Sequence, residues 1–255
     1  MPVAVEKTYQ IEREKWDALA ERSATPEALR VVAPSFEEYA AKTATYAGVT
    51  DFLGPLAGKE VLEYGCGLGL LSTLLARSGA RVSTFDLSPA SIATARLRAE
   101  VNGVSAAIEF SVAPGEQLPY EDESFDVVFG KAILHHLDVE QGWGELHRVL
   151  RPGGRAAFVE PMGMNPILNF ARDRVPYPHK NPRGADEPLT YSDIHAWGRG
   201  YSSFEYREIQ LLSMLERLLG FNRRLRVLRR ADTFLLRRVP PLRRYCRYVV
   251  LEMVK

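Results

Sequence analysis

The chain has 255 residues, 46% of them hydrophobic and 25% charged, and its 33 Lys and Arg nearly balance its 32 Asp and Glu. That length and apolar content suit one α/β domain with additions and a substantial buried core. With no apolar run of about 18 residues, no signal peptide at its head and only Cys66 and Cys246 as cysteines, the chain is expected to be cytoplasmic. It is expected neither to span a membrane nor to be secreted, and it is too poor in cysteine for a disulfide framework or a zinc cluster.

Residues 1–59 read as helical. A helix over 6–22 carries Tyr9, Trp16, Leu19 and alternating charge, and a second helical segment over 35–45 has Ser35 as its N-cap. Val61 and Leu62 then lead into Glu63, after which Gly65, Cys66, Gly67, Leu68 and Gly69 precede the apolar-periodic Leu70, Leu71, Leu74 and Leu75. This is strand, tight turn and helix, and glycines at alternate positions let a ligand approach where a side chain would block it. Cys66 fills space in that turn and is not read as a nucleophile. A strand over 81–85 ends in Asp86, 21 residues after Gly65, where a carboxylate can accept from both hydroxyls of a ribose. The spacing is GxGxG, and the GxGxxG pattern of dinucleotide enzymes fails because its third glycine falls on Leu70. Glu63 beside the turn repels a pyrophosphate and suits a zwitterion bearing an ammonium.

Further along, 124–131 (SFDVVFGK) reads as the fourth strand, buried on both faces, preceded by GEQLPY and followed by AILHHL. Residues 145–154 (ELHRVLRPGG) read as a helix ending in a Pro-Gly-Gly turn, and 155–161 as the fifth strand. Residues 162–203 form a Pro-, Asn- and Gly-rich insertion holding Met162, Asn165, His179, Tyr191 and His195. An irregular stretch of that length on the ligand side of an open sheet favours substrate recognition. No His or Cys grouping has metal spacing, so no metal is expected. The sixth strand is 204–209 and the last 245–254.

This ordered set resembles the class I S-adenosylmethionine-dependent methyltransferases, in particular the small-molecule methyltransferase domains of ubiquinone and menaquinone biosynthesis. The resemblance spans about 100 residues. It implies a Rossmann-like α/β fold: a seven-stranded, mostly parallel sheet with helices on both faces and the last strand antiparallel. Residues 1–59 then form a helical lid, 60–161 the cofactor-binding core, 162–203 the recognition insertion and 204–255 the completion of the sheet. The implied cofactor is S-adenosylmethionine. Asp86 contacts its ribose, the turn of Glu63, Gly65, Cys66, Gly67 and Gly69 cups its methionine portion, and the backbone of Gly130 and Lys131 lies along the sulfonium. Where the family commonly has an aspartate for the adenine amine this chain has Pro114, so adenine is left to backbone groups of Ala113 and Gly115, to stacking by Leu87, or to Glu116. The lid and the insertion supply Tyr9, Trp16, Met162, Asn165, His179 and Tyr191 as candidate acceptor contacts; Phe36 and Tyr39 either join them or pack the helices onto the domain.

A sulfonium is already a reactive methyl donor, so the protein has to align an acceptor and remove its proton where it carries one. His135 and His136 follow the fourth strand; one is expected to face the acceptor as base, with His136 favoured, and the other to pack. Glu160 is a second candidate base or a holder of loop backbone, and His147 is structural. The expected activity is O-methylation of a small molecule in quinone-like or other secondary-metabolite biosynthesis. Methylation of nitrogen or carbon, of protein or RNA, and a catalytically inactive cofactor-binding partner remain open alternatives. The last 35 residues carry eleven Lys or Arg against Asp232 and Glu252, a net of +9 that offsets −8 in the rest. Arginine pairs alternate there with Leu, Val and Phe, which fits a solvated helical face, a surface for anionic lipid or an acidic partner, or a nucleic-acid patch. Few aromatics interleave and no nucleic-acid motif occurs, so no nucleic-acid partner is expected.

Overall fold

In the computed structural model, residues 3–23, 25–46, 48–174, 187–217 and 226–255 are described. Four helices come first: α1 (Val3–Ser23), α2 (Pro26–Leu29), α3 (Phe36–Lys42) and α4 (Val49–Leu53). Ser35 caps α3 as its sequence indicates, its hydroxyl accepting from Glu38 N. The core then alternates as β1 (Glu60–Tyr64), α5 (Leu70–Arg77), β2 (Arg81–Asp86), α6 (Pro89–Val101), β3 (Ile108–Val112), β4 (Phe125–Lys131), α7 (Val139–Val149) and β5 (Leu150–Pro161). It is completed by α8 (Pro166–Arg174), α9 (Tyr191–Gly198), β6 (Ser203–Ile209), α10 (Arg226–Arg238) and β7 (Tyr248–Val254).

The seven strands form one sheet in the order β3-β2-β1-β4-β5-β7-β6, with β1 to β5 parallel and β7 antiparallel to both β5 and β6. Alternate residues of each strand feed two hydrophobic layers. Val61, Val127, Phe129, Ala157 and Val159 pack under α3, α4, α5 and α6. Leu62, Val128, Ala156, Phe158 and Leu251 face the side of α7 and α9, where Trp197 is fully buried. Burial on both faces explains the near-continuous apolar run of β4.

Two details depart from the sequence reading. The run 145–154 is not a helix ending in a free turn: α7 starts earlier, at the Asp138 N-cap, and Leu150–Gly154 already belong to β5. The chain's last residue causes this, because Gly153 N donates to Lys255 O while Lys255 N donates to Gly154 O, drawing the glycine pair into the sheet. Lys255 Nζ then donates to His147 O and Leu150 O at the end of α7. The insertion is also less irregular than its composition indicates. Asn165 Oδ1 accepts from Ile167 N and Leu168 N to start α8, and Thr190 and Asp193 form a capping box for α9. No helix among the described residues is long and apolar enough to cross a membrane.

Candidate cofactor and acceptor site

The cleft opens at the ends of β1, β2 and β4, where parallel strands of an open sheet leave a crevice. After β1 the chain turns through Gly65, Gly67 and Gly69, all at positive φ (77°, 49° and 77°). The three glycines are required for different reasons. A Cβ on Gly69 would lie 2.7 Å from Ala95 Cβ, so that residue lets α5 close onto α6. A Cβ on Gly65 would run into Ile133, whereas Gly67 faces only the ring of Trp16. The turn is held from β2: Asp86 Oδ2 accepts from Gly67 N at 2.8 Å and Oδ1 from Ser88 N at 3.0 Å. Both oxygens keep a lone pair for a ligand. Burial pushes the Asp86 carboxyl up, and the backbone donors of Ser88, Gly67 and Leu87 oppose that shift.

Glu63 is fully buried and accepts from Ser72 Oγ. Burial, with the Asp86 charge adding to it, pushes its carboxyl up to about 8 against the pull of the Ser72 hydroxyl and the Arg98 charge. Arg98 comes from α6; its Nε donates to Leu29 O and its Nη1 to Leu68 O, which fixes the guanidinium at the wall of the glycine turn. Cys66 is buried and its thiol is pushed well up by burial, in keeping with a space-filling role.

Trp16 from α1 lines two chambers of the cleft. The larger chamber, of about 370 Å³, is lined by Glu63, Gly67, Arg98, Tyr39, Tyr46 and Lys131. In the smaller chamber, of about 70 Å³, Leu87, Ala113, Pro114, Gly115 and Glu116 meet Tyr9 and Glu12. Gly65, Asp86, Ile133 and His136 line both chambers. Tyr64 donates from its hydroxyl to Gly115 O, tying the loop after β3 to β1. Glu116 accepts from Asp138 N, and it and burial together push the Tyr9 phenol up. α1 is fastened over the site through Ser88 Oγ, which donates to Asp17.

The two histidines separate cleanly. His135 is 3% exposed, with Nδ1 2.7 Å from Glu160 Oε2, and it does not line either chamber. The other Glu160 oxygen accepts from Ile133 N and Leu134 N, so Glu160 pins the loop after β4 rather than facing the cleft. His136 faces both chambers, and its Nδ1 lies 3.7 Å from Glu12 Oε1. Between β4 and these residues, Ala132 adopts φ 54°, a left-handed conformation that costs a non-glycine residue energy and lets the backbone turn into the cleft. Lys131 lines the larger chamber with its Nζ 5.7 Å from the Tyr46 ring centroid. The surrounding walls push its ammonium down, Arg247 adding to the shift and Glu160 opposing it.

Of the residues singled out in the sequence, the structure gathers Tyr9, Trp16, Tyr39, Glu63, Gly65, Cys66, Gly67, Asp86, Leu87, Ala113, Gly115, Glu116, Lys131 and His136 around the cleft. Gly130 lies outside that lining, and its lack of a side chain serves packing, since a Cβ would stand 2.6 Å from the Phe158 ring. Met162 is fully buried in the core, Asn165 is spent on capping α8 and on Tyr245 O, and Tyr191 donates to Glu208; none of them lines either chamber. Phe36 is a core residue stacked near Phe129, His147 stacks on Trp143, and His179 lies outside the described residues. The sequence reading missed Arg98 and Glu12. Glu12 was findable, because positions 9, 12 and 16 share one helical face; nothing distinguishes Arg98 from the other arginines of an amphipathic helix. Among the described residues no group of three His, Cys, Asp or Glu could hold a metal ion.

A sheet of this order, with an antiparallel β7 and acids at the ends of β1 and β2 flanking a glycine turn, is the architecture of class I methyltransferases. Residues 62–158 match the methyltransferase domain family, and that stretch has the class I methyltransferase fold. The ubiquinone biosynthesis O-methyltransferase of Pseudomonas aeruginosa is 38% identical over 151 residues, 56% of this chain and 64% of that protein. The demethylmenaquinone methyltransferase of Chlorobaculum parvum is 38% identical over 112 residues, 43% of this chain and 44% of that protein. The chain thus spans about half the length of the curated relatives it matches. The solved S-adenosylmethionine-dependent methyltransferase of Mesorhizobium loti shares the fold with a TM-score of 0.61 at 20% identity, covering 85% of this chain and 100% of that one.

Proposed function

We propose that the protein transfers a methyl group from S-adenosylmethionine to oxygen on a small, quinone-like or other secondary-metabolite acceptor. The observation that carries this reading is the pair of carboxylates at the ends of two neighbouring strands, Glu63 and Asp86, flanking one glycine turn with His136 at the shared wall. Asp86 would accept from the ribose hydroxyls, Glu63 would hold the ammonium of the methionine part, and Arg98 is suited to its carboxylate. When bound, the cofactor supplies an activated methyl group on a sulfonium. The chain's own residues then have two tasks: Tyr39, Tyr46 and Lys131 wall the chamber in which an acceptor is oriented, and His136 takes the acceptor's proton. The Glu12 carboxylate, 3.7 Å from His136, stabilises the imidazolium formed. His135 and Glu160 act as positioning residues for the loop that carries His136.

The names of the matched relatives, one a ubiquinone biosynthesis O-methyltransferase and one a demethylmenaquinone methyltransferase, support a quinone-like acceptor. Calorimetry with S-adenosylhomocysteine and with NAD tests the cofactor: micromolar binding of the first alone is expected, and binding of NAD, or of neither, overturns it. Methyl-labelled S-adenosylmethionine offered with a panel of catechols and hydroquinones tests the acceptor. Label on a phenolic oxygen is the expected product, and label on a ring carbon overturns the assignment to oxygen.

A further inference from the structure

The Arg-rich C-terminal segment is not a uniformly solvated face. The only acid of α10, Asp232, points inward: it is 6% exposed and accepts from Leu211 N, Leu212 N, Ser213 N and Ser213 Oγ. Arg229 is turned the same way and pairs with Glu216. These contacts fix the roll of the helix, and the opposite face carries Val227, Arg230, Phe234, Arg237 and Arg238 within about 100° of arc. Val227 is 74% and Phe234 59% exposed, unusual for large apolar side chains that a fold could have buried. Arg230, Arg237 and Arg238 surround Phe234 in a groove of about 620 Å³, and the Arg238 guanidinium lies 5.6 Å from the Phe234 ring centroid. No acid lies on this face. The next turn adds exposed Arg243 and Arg244.

We infer that the outer face of α10 docks the protein on an anionic phospholipid surface, with Phe234 and Val227 entering the interface and the surrounding arginines meeting lipid phosphates. Arginine stems lying beside apolar side chains suit a bilayer boundary, where charge meets headgroups and the ring meets acyl chains. The topology gives this surface a direction. β6 ends and β7 begins opposite Pro161, at Ile209 and Tyr248, so the segment bearing α10 leaves the sheet at the end where β4 and β5 also finish. That is the end at which Lys131 and His136 line the cleft.

Sedimentation of the full chain with phosphatidylcholine vesicles, with and without 40 mol% phosphatidylglycerol, at low and at roughly 0.5 M salt tests the inference. Binding only to the anionic vesicles, lost at high salt, is expected. Replacing three arginines together (R230E, R237E, R238E) should weaken binding at least about 100-fold, since each basic residue at such a surface contributes about a factor of five or more. Phe234→Asp should weaken it further than charge alone accounts for. Phe234→Trp supplies an optical readout, with emission moving to shorter wavelength on anionic vesicles and unchanged on neutral ones. Failure of the wild-type chain to bind anionic vesicles overturns the inference, as does full binding by the triple variant with an unchanged melting temperature. A concentration-dependent dimer abolished by Phe234→Asp would instead assign the face to a second copy of the chain.

Discussion

Asp86 anchors the glycine turn through Gly67 N, and in the proposed reading its remaining lone pairs accept from a ribose. Asp86→Ala should therefore weaken S-adenosylhomocysteine binding by about 1–3 kcal/mol in calorimetry, the scale of a lost charge-assisted hydrogen bond; unchanged affinity would remove Asp86 from the ribose. With His136 as the proposed base, His136→Ala should cut turnover about 100-fold or more while leaving S-adenosylhomocysteine affinity intact. Glu63 gives a pH signature. With its carboxyl pushed up to about 8 it is protonated at neutral pH, and capture of an ammonium requires the ionised form. Binding should release a proton, with affinity rising between pH 6 and 8 by at most about tenfold per unit and levelling above that. Calorimetry in buffers of different ionisation heat reads this, and Glu63→Gln should flatten the profile. The same shift lowers folded-state stability as pH climbs from the ordinary carboxylate value of 4.5 toward 8, since the unfolded chain gives up that proton first. The placement of Glu63 and Asp86 beside the turn was visible in the sequence because the acids sit at fixed spacing from the glycines. The choice between His135 and His136 needed the structure, since it depends on Glu160 reaching across from the neighbouring strand.

Elements whose periodicity is local were readable; those defined by distant partners were not. The α1 and α3 helices, the glycine turn and the buried β4 follow from caps and apolar spacing alone. The Pro-Gly-Gly stretch misleads because its conformation is set by Lys255, about a hundred residues away. The insertion misleads in a different way: Asn165 and Thr190 look like loop residues and act as helix caps, which withdraws Asn165 from the cleft. At α10 the decisive residue is again a lone acid. Asp232→Ala would leave the buried donors of Leu211, Leu212 and Ser213 without their acceptor, and urea unfolding should show a loss on the order of 2–4 kcal/mol. A loss below about 0.5 kcal/mol, the range of ordinary surface substitutions, would mean that α10 is not anchored by this residue.

For the molecule as a whole, ligand and fold are linked. S-adenosylhomocysteine at 100 times its dissociation constant should add about 2.7 kcal/mol to stability. At roughly 2–4 °C per kcal/mol for a chain of this size, the melting temperature should rise by about 5–10 °C. Asp86→Ala at the same ligand concentration should show a clearly smaller rise; an equal shift would place the binding elsewhere. The position of Trp16 has a different consequence. That indole lines both chambers, so it stands beside any molecule that reaches from Leu87 to Glu63. Because α1 supplies Trp16 to both chambers and Glu12 to His136, a shift of this one helix would alter the fit of a ligand and the surroundings of the proton acceptor together.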